Sequence, residues 1–189
     1  MVAIYLIRHG QASFGQQDYD QLSDMGGVQA RILGKYWQSK STPNTIYAGK
    51  LRRHKQTLEQ FIQGYQGIHD KGFNGQSISD TAVNLHTGFN EFDHVDVLTR
   101  YKSQHNNVTP ISESTAQQPD ADKQLQITFA GAVDRWMSSK HDDEYQESWH
   151  QFKKRCFEAL QEVIAQALTT KSTSTQNAKD SQDICIFTS

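Results

Sequence analysis

Apolar and polar positions alternate along this chain in blocks that read as strand, helix, strand, helix. Ile4-Tyr5-Leu6-Ile7 is an unbroken apolar run. A short run rich in β-branched and aromatic residues reads as a strand buried on both faces, so residues 3–8 form the first strand. Residues 11–21 are polar and contain glycine, and read as a loop. Ser23 can cap a helix that runs to about Ser39. Its apolar face is expected to be Met25, Val28, Ile32, Leu33, Tyr36 and Trp37, at three- and four-residue spacing. Pro43 and Asn44 break the chain before a second strand, Thr45 to Ala48, and a second helix follows from about Leu51 to Tyr65.

The middle of the chain is less regular. Ser77 to Leu85 is read as holding a third strand, and Phe89 to Asp96 mixes aromatics with acids. Residues 106–124 are polar, low in complexity and carry Pro110 and Pro119, which predicts a loop. Residues 124–138 read as helical. Ser148 to Leu168 carries the clearest helical pattern: Ser148 and Gln151 resemble a capping box, and Trp149, Phe152, Cys156, Phe157, Leu160, Val163, Ile164 and Leu168 form one apolar stripe. Residues 169–182 are rich in Thr, Ser, Lys and Asn and predict a solvated loop. Ile184 to Phe187 is then a buried strand, expected in the sheet interior beside the first. Strands alternating with helices at this spacing argue for a parallel sheet with helices on both faces, an α/β/α sandwich.

Composition narrows the function. The 189 residues suit one domain, residues 1–189, with a substantial core. A net charge of −2 and a pI near 6.4 give no basic field for nucleic acid or an anionic membrane. No segment approaches the apolar length that a bilayer demands. The first strand begins at once, leaving no room for a signal peptide, so a cytoplasmic location is expected. Cys156 and Cys185 sit in apolar segments and read as buried free thiols. His54, His69, His86, His94, His105, His141 and His150 show no metal spacing, with His94-x-Asp96 the nearest to one. No glycine-rich nucleotide loop is present, so neither metal nor cofactor is expected.

The first strand runs directly into Arg8-His9-Gly10. In open α/β sheets, ligands bind beyond the carboxyl ends of the strands. Arginine there offers a permanently charged fork for phosphate oxygens, and histidine a nucleophile or proton carrier. Two further patterns follow: Leu22-Ser23-Asp24-Met25-Gly26-Gly27-Val28-Gln29-Ala30-Arg31-Ile32-Leu33-Gly34, and Arg52-Arg53-His54-Lys55-Gln56-Thr57. Together the three resemble the histidine phosphatase superfamily, with its phosphoglycerate-mutase-like fold. The resemblance is strong over residues 3–60, looser around 85–97 and 145–189, and absent between.

That resemblance implies a three-layer α/β/α fold with a mostly parallel sheet and a helical lid insertion over about residues 70–140. It implies a metal-independent phosphomonoesterase in which His9 is phosphorylated and water then releases the phosphate. Hydrolysis by this route requires a nucleophile, positive charge around the transferring oxygens and an acid for the leaving oxygen. Arg8 and Arg53 would clamp the phosphate, Arg53 being the arginine placed three residues before Gln56-Thr57. Arg52 would be its solvated neighbour. Gln11 and Ser13 would orient the substrate. Glu91, in Leu85-x5-Glu91-Phe92-Asp93, would be the general acid, with Asp93 its competitor. Two positions depart from the family pattern. Gly49 replaces a serine four residues before Arg53, and Ser189 stands where the family carries a second phosphate-binding histidine. The family also continues past this strand, so the chain reads as truncated, with sheet surface left open to self-association as a homodimer. A phosphoglycerate mutase is disfavoured, since the family's mutases shield the phosphohistidine with an ordered tail. The alternative from a different class is a phospho-ligand binder with little catalysis. The expected partner is a small phosphorylated substrate or a phosphoprotein.

Overall fold

The computed structural model describes residues 2–13, 20–40, 42–67, 83–104, 118–173 and 182–189. The chain divides into two compact units, Met1–Glu91 with Phe157–Ser189, and Phe92–Cys156.

The first unit is built on four parallel strands: β1 (Val2–Arg8), β2 (Thr45–Ala48), β3 (Val83–Leu85) and β4 (Gln182–Thr188), in the order β1-β4-β2-β3. The register sets Arg8 opposite Thr188, and Ala48 opposite Phe187. Residues 183–187 of β4 are all buried, as an interior strand with both faces covered requires. Side chains alternate between two cores. Ile7, Cys185, Phe187, Ile46 and Ala48 pack with Trp37, Leu58, Phe61 and Tyr65, which come from α1 (Asp24–Trp37) and α2 (Arg52–Gln66). Val2, Ile4, Ile184, Ile186 and Tyr47 pack with Ala159, Val163 and Ala167 of a long helix that ends at Thr173. The result is the three-layer α/β/α arrangement with a parallel sheet. Of the expected third strand, Val83–Leu85 is present, and residues 77–82 lie outside the described residues.

Helix α1 starts where its cap predicts, with the Gly26 N–H donating to Ser23 Oγ at 3.0 Å. Of the expected face, Trp37 is buried and Leu33 packs against the core, but the rest is turned outward. Met25, Val28, Ile32 and Tyr36 are 56%, 41%, 64% and 59% exposed, whereas Gly26, Ala30, Gly34 and Trp37 are buried. The physical reason is close approach. A Cβ on Gly34 would stand 2.0 Å from the Phe61 carbonyl oxygen of α2, and one on Gly64 of α2 would stand 2.1 Å from that of Arg31. Two backbones this close admit only small residues between them, so the large apolar side chains of α1 take the far side.

The second unit holds α3 (His94–Gln104), α4 (Gln118–Met137) and the start of α5 (Trp149–Thr173). Its core joins Val97, Ala132, Trp136 and Tyr145 to Phe92, Trp149 and Phe152, with Phe92 stacked on Trp136 at 4.7 Å. Helix α3 was not expected; Asp93 starts it by accepting the Val95 and Asp96 N–H groups, each at 3.0 Å. The loop expected over 106–124 is corrected from Gln118 onward, which is helical. Pro119 suits a first helical turn, where its missing N–H is no loss. Residues 105–117 lie outside the described residues.

Helix α5 shows the capping box. Gln151 N–H donates to Ser148 Oγ at 3.2 Å, and Ser148 N–H to Gln151 Oε1 at 2.8 Å. Two corrections apply to it. It runs on through 169–173, expected as loop, and its stripe is only partly covered: Phe157, Ile164 and Leu168 are 61%, 41% and 58% exposed. Val163, from the expected stripe, packs against the sheet with Ala159 and Ala167, which lie four residues to either side of it. Cys185 is buried, and burial pushes its thiol up to about 12; Cys156 is half-buried rather than buried. No helix among the described residues is long and apolar enough to cross a membrane.

Candidate active site

The carboxyl ends of β1 and β4 lie side by side, and the sequence places Arg8-His9-Gly10 there. His9 extends the ladder by one bond, its N–H donating to the Thr188 carbonyl at 2.8 Å. Its Nδ1 is 2.6 Å from the Gly10 carbonyl oxygen. A carbonyl can only accept, so Nδ1 carries the proton and Nε2 keeps its lone pair. Burial lowers the His9 pKa below its ordinary value, the Gly10 carbonyl works against this, and the Arg53 charge lowers it again. The ring is therefore neutral at pH 7, as a nitrogen nucleophile must be.

Polar residues of the two helices brace this loop. The Gly10 N–H donates to Thr57 Oγ1 at 3.1 Å, and Thr57 Oγ1 donates to the Arg53 carbonyl at 2.7 Å. Gln29 Oε1 accepts the Gln11 N–H at 3.0 Å, and Gln56 Oε1 accepts the Leu22 N–H at 2.8 Å. Gly10 cannot be larger, because a Cβ there would lie 2.4 Å from the Gly26 carbonyl oxygen. Thr57 and Gln29 thus fix the two residues that directly follow the nucleophile, and Gln56 fixes the chain at Leu22.

Arg53 lies at the N-terminus of α2 and is 3% exposed. Its Nη1 donates to Asp20 Oδ1 at 2.8 Å, and its Nη2 to Glu91 Oε2. Asp20 also caps α2, with Oδ2 accepting the Arg52 N–H at 2.9 Å, since Leu51 at the cap position has no side-chain oxygen. Arg52 itself is exposed. The structure thus brings Arg53 and Glu91 together beside His9. Asp93 belongs to the second unit and caps α3. Arg8 is exposed, and its charge helps lower the His9 pKa. Gln11 is exposed at the same loop. Ser13 is only 6% exposed, its N–H donating to the Gln21 carbonyl at 2.8 Å, so its hydroxyl is largely closed off from solvent.

Ser189 stands one residue past β4, exposed, with Oγ 2.7 Å from His54 Nε2. His54 follows Arg53 on α2 and is fully buried, its ring centroid 5.7 Å from that of His9. Gly49 has the ring of His54 against it: a Cβ there would lie 2.1 Å from His54 Nδ1. No signal in the sequence marked Asp20 or His54. Among the described residues no cluster of three His, Cys, Asp or Glu side chains is placed to hold a metal. A cavity of about 390 Å³ in the second unit, lined by residues that include Arg100, Glu144 and Tyr145, contains none of the residues His9, Arg53 and Glu91.

A family model described as the histidine phosphatase superfamily (branch 1) matches residues 4–172. No curated sequence is similar enough to match. Solved structures do match. A mycobacterial glucosyl-3-phosphoglycerate phosphatase superposes with a TM-score of 0.53 at 15% identity, covering 97% of this chain and 71% of its own. Bacillus stearothermophilus YhfR gives 0.52 at 16% identity, covering 100% of this chain and 74% of its own. The alpha-ribazole phosphatase from Shigella flexneri gives 0.50 at 15%, covering 98% and 72%. At such identities the likeness establishes the fold.

Proposed function

We propose that this chain, which belongs to the histidine phosphatase superfamily, hydrolyses phosphate monoesters through a phosphohistidine on His9. The observation that carries the reading is the His9 tautomer. Its Nδ1–H is committed to the Gly10 carbonyl, so the Nε2 lone pair is the free one.

Arg8 and Arg53 would hold the non-bridging oxygens of the bound ester. His9 Nε2 attacks phosphorus as the bond from phosphorus to the ester oxygen breaks, and Glu91 gives its proton to the departing oxygen. Water then attacks the phosphorus, the P–N bond returns its electron pair to Nε2, and the water proton passes to the Glu91 carboxylate. Inorganic phosphate leaves. The expected substrate is a small phosphorylated molecule or a phosphoprotein.

A second reading, a phospho-ligand binder with little turnover, is favoured by one feature. Glu91, the candidate acid, is engaged by Arg53 Nη2 instead of standing ready to meet a leaving oxygen, which bears on turnover and not on phosphate binding. Turnover of an aryl phosphate, measured beside calorimetric binding of inorganic phosphate, decides between them. Release of phosphate that His9→Ala abolishes supports the enzyme. Phosphate binding without turnover in the unmodified protein supports the binder.

A further inference from the structure

We propose that His54 is a positioning residue of this site, whose Nε2–H holds the Ser189 hydroxyl oxygen so that the Ser189 O–H is turned outward to donate to a phosphoryl oxygen. This rests on the phosphatase reading given above.

His54 is 0% exposed, yet it is an imidazole with two nitrogens to satisfy. Nε2 is 2.7 Å from Ser189 Oγ. Nδ1 lies against the Gly49 backbone and has no hydrogen-bond partner among the described residues. A buried N–H without a partner is rarer than a buried acceptor without one. The proton therefore belongs on Nε2, and Nδ1 keeps its lone pair. In this tautomer His54 donates and Ser189 Oγ accepts. A serine hydroxyl has a single hydrogen, so once Oγ accepts from His54 its own hydrogen must go elsewhere.

Elsewhere is the mouth of the site. Ser189 is exposed and directly follows Thr188, whose carbonyl takes the His9 N–H at 2.8 Å. The rings of His9 and His54 are 5.7 Å apart. His54 meanwhile cannot act as a second nucleophile, since Nε2 bears the hydrogen and Nδ1 is walled in. Nor does it bring charge. Burial, and then the neighbouring Arg53 and His9, lower its pKa to about 3, against a smaller opposing effect of Asp20. Space for the ring is reserved by Gly49, where a Cβ would also lie 2.7 Å from the Phe89 carbonyl oxygen.

The test uses four variants of the full chain. His54→Leu keeps the bulk and removes the donor. His54→Gln restores an N–H near the Nε2 position. Ser189→Ala removes the hydroxyl, alone and combined with His54→Leu. Calorimetric affinity for inorganic phosphate is read for each, with kcat and KM on an aryl phosphate and a thermal melt. A neutral hydrogen bond is worth roughly a 2- to 10-fold change in affinity. We expect His54→Leu and Ser189→Ala each to weaken phosphate binding by about that factor, with no further loss in the double variant and recovery in His54→Gln. If His54→Leu does not fold, His54→Asn, whose amide reaches only the Nδ1 position, serves as the donor-loss variant. Losses that multiply in the double variant, or a silent Ser189→Ala, overturn the proposal. Normal phosphate binding by the unmodified protein that neither substitution changes removes the role of His54 and leaves the phosphatase reading standing. An unmodified protein that neither binds phosphate nor turns over an ester removes both.

Discussion

Replacing Arg53 with alanine should damage phosphate binding far more than stability. The guanidinium is 3% exposed, while its partners Asp20 and Glu91 are 37% and 25% exposed. Breaking a wholly buried pair costs about 3–5 kcal/mol, and breaking an exposed one about 0–1 kcal/mol. Both carboxylates can turn to water when Arg53 is gone, so the loss of stability should be about 1–2 kcal/mol. For a chain of this length that is a fall in Tm of roughly 2–8 °C. A bound phosphate loses a charge-assisted hydrogen bond worth about 1.5–3 kcal/mol, a roughly 10- to 150-fold rise in Kd. Arg52→Ala keeps the backbone N–H that Asp20 accepts and removes an exposed side chain. It should change either quantity by less than about 0.5 kcal/mol. Calorimetry with inorganic phosphate, with melts in phosphate-free buffer, reads both effects. If Arg52→Ala weakens phosphate as much as Arg53→Ala, the assignment of the clamp is wrong.

Glu91→Gln should slow esters with poor leaving groups far more than aryl phosphates, because only the former require a proton on the departing oxygen; equal slowing of both would make Glu91 structural. Gly34→Ala should destabilise the fold by about 1–3 kcal/mol, since its Cβ would collide with the Phe61 carbonyl, while Ile32→Ser should be nearly neutral. Denaturant titration that ranks those two the other way would restore the apolar face expected from the sequence. Acid should weaken the fold through His54. The unfolded chain protonates this residue near its ordinary value of 6.5 and the folded chain only near 3, so stability falls as pH drops from 6.5 toward 3. Between pH 6.5 and 5 the loss attributable to it is about 2 kcal/mol, and His54→Leu should flatten that slope. An unchanged slope in the variant would mean that the ring is accessible to protons.

Strand β4 was legible because it is buried on both faces, so Ile184 to Phe187 is apolar without interruption; Ile4 to Ile7 was read the same way, but β1 is the edge of the sheet, and Tyr5 and Leu6 are 38% and 64% exposed. The extent of α1 was legible from Ser23, but its orientation was not. Glycine contributes nothing to an apolar pattern, yet Gly26, against the Gln11 backbone, and Gly34, against that of Phe61 in α2, mark the buried face, because close backbone approach outweighs the burial of Ile32 and Tyr36. Helix α3 escaped notice because the carboxylate that starts it, Asp93, also fitted the role of an acid. In the site, Arg8 and His9 stood out at the end of an apolar strand, and Arg53 through the resemblance to the superfamily pattern. Asp20 did not, since a lone acid in a polar loop carries no pattern until α2 presents its uncapped N–H groups to it. Gly49 and Ser189 were each visible as departures. What joins them is His54, which touches Gly49 from five residues away and Ser189 from 135 away, a contact that only the fold creates.

The central claim is that phosphate passes through His9. Protein mixed with a phosphoryl donor and quenched in the millisecond range should carry a phosphoryl group that is labile to acid and stable to base. Peptide mapping under basic conditions should place it on His9, and His9→Ala should carry none. A label that survives His9→Ala, or brisk turnover by a protein that never becomes labelled, would contradict the account.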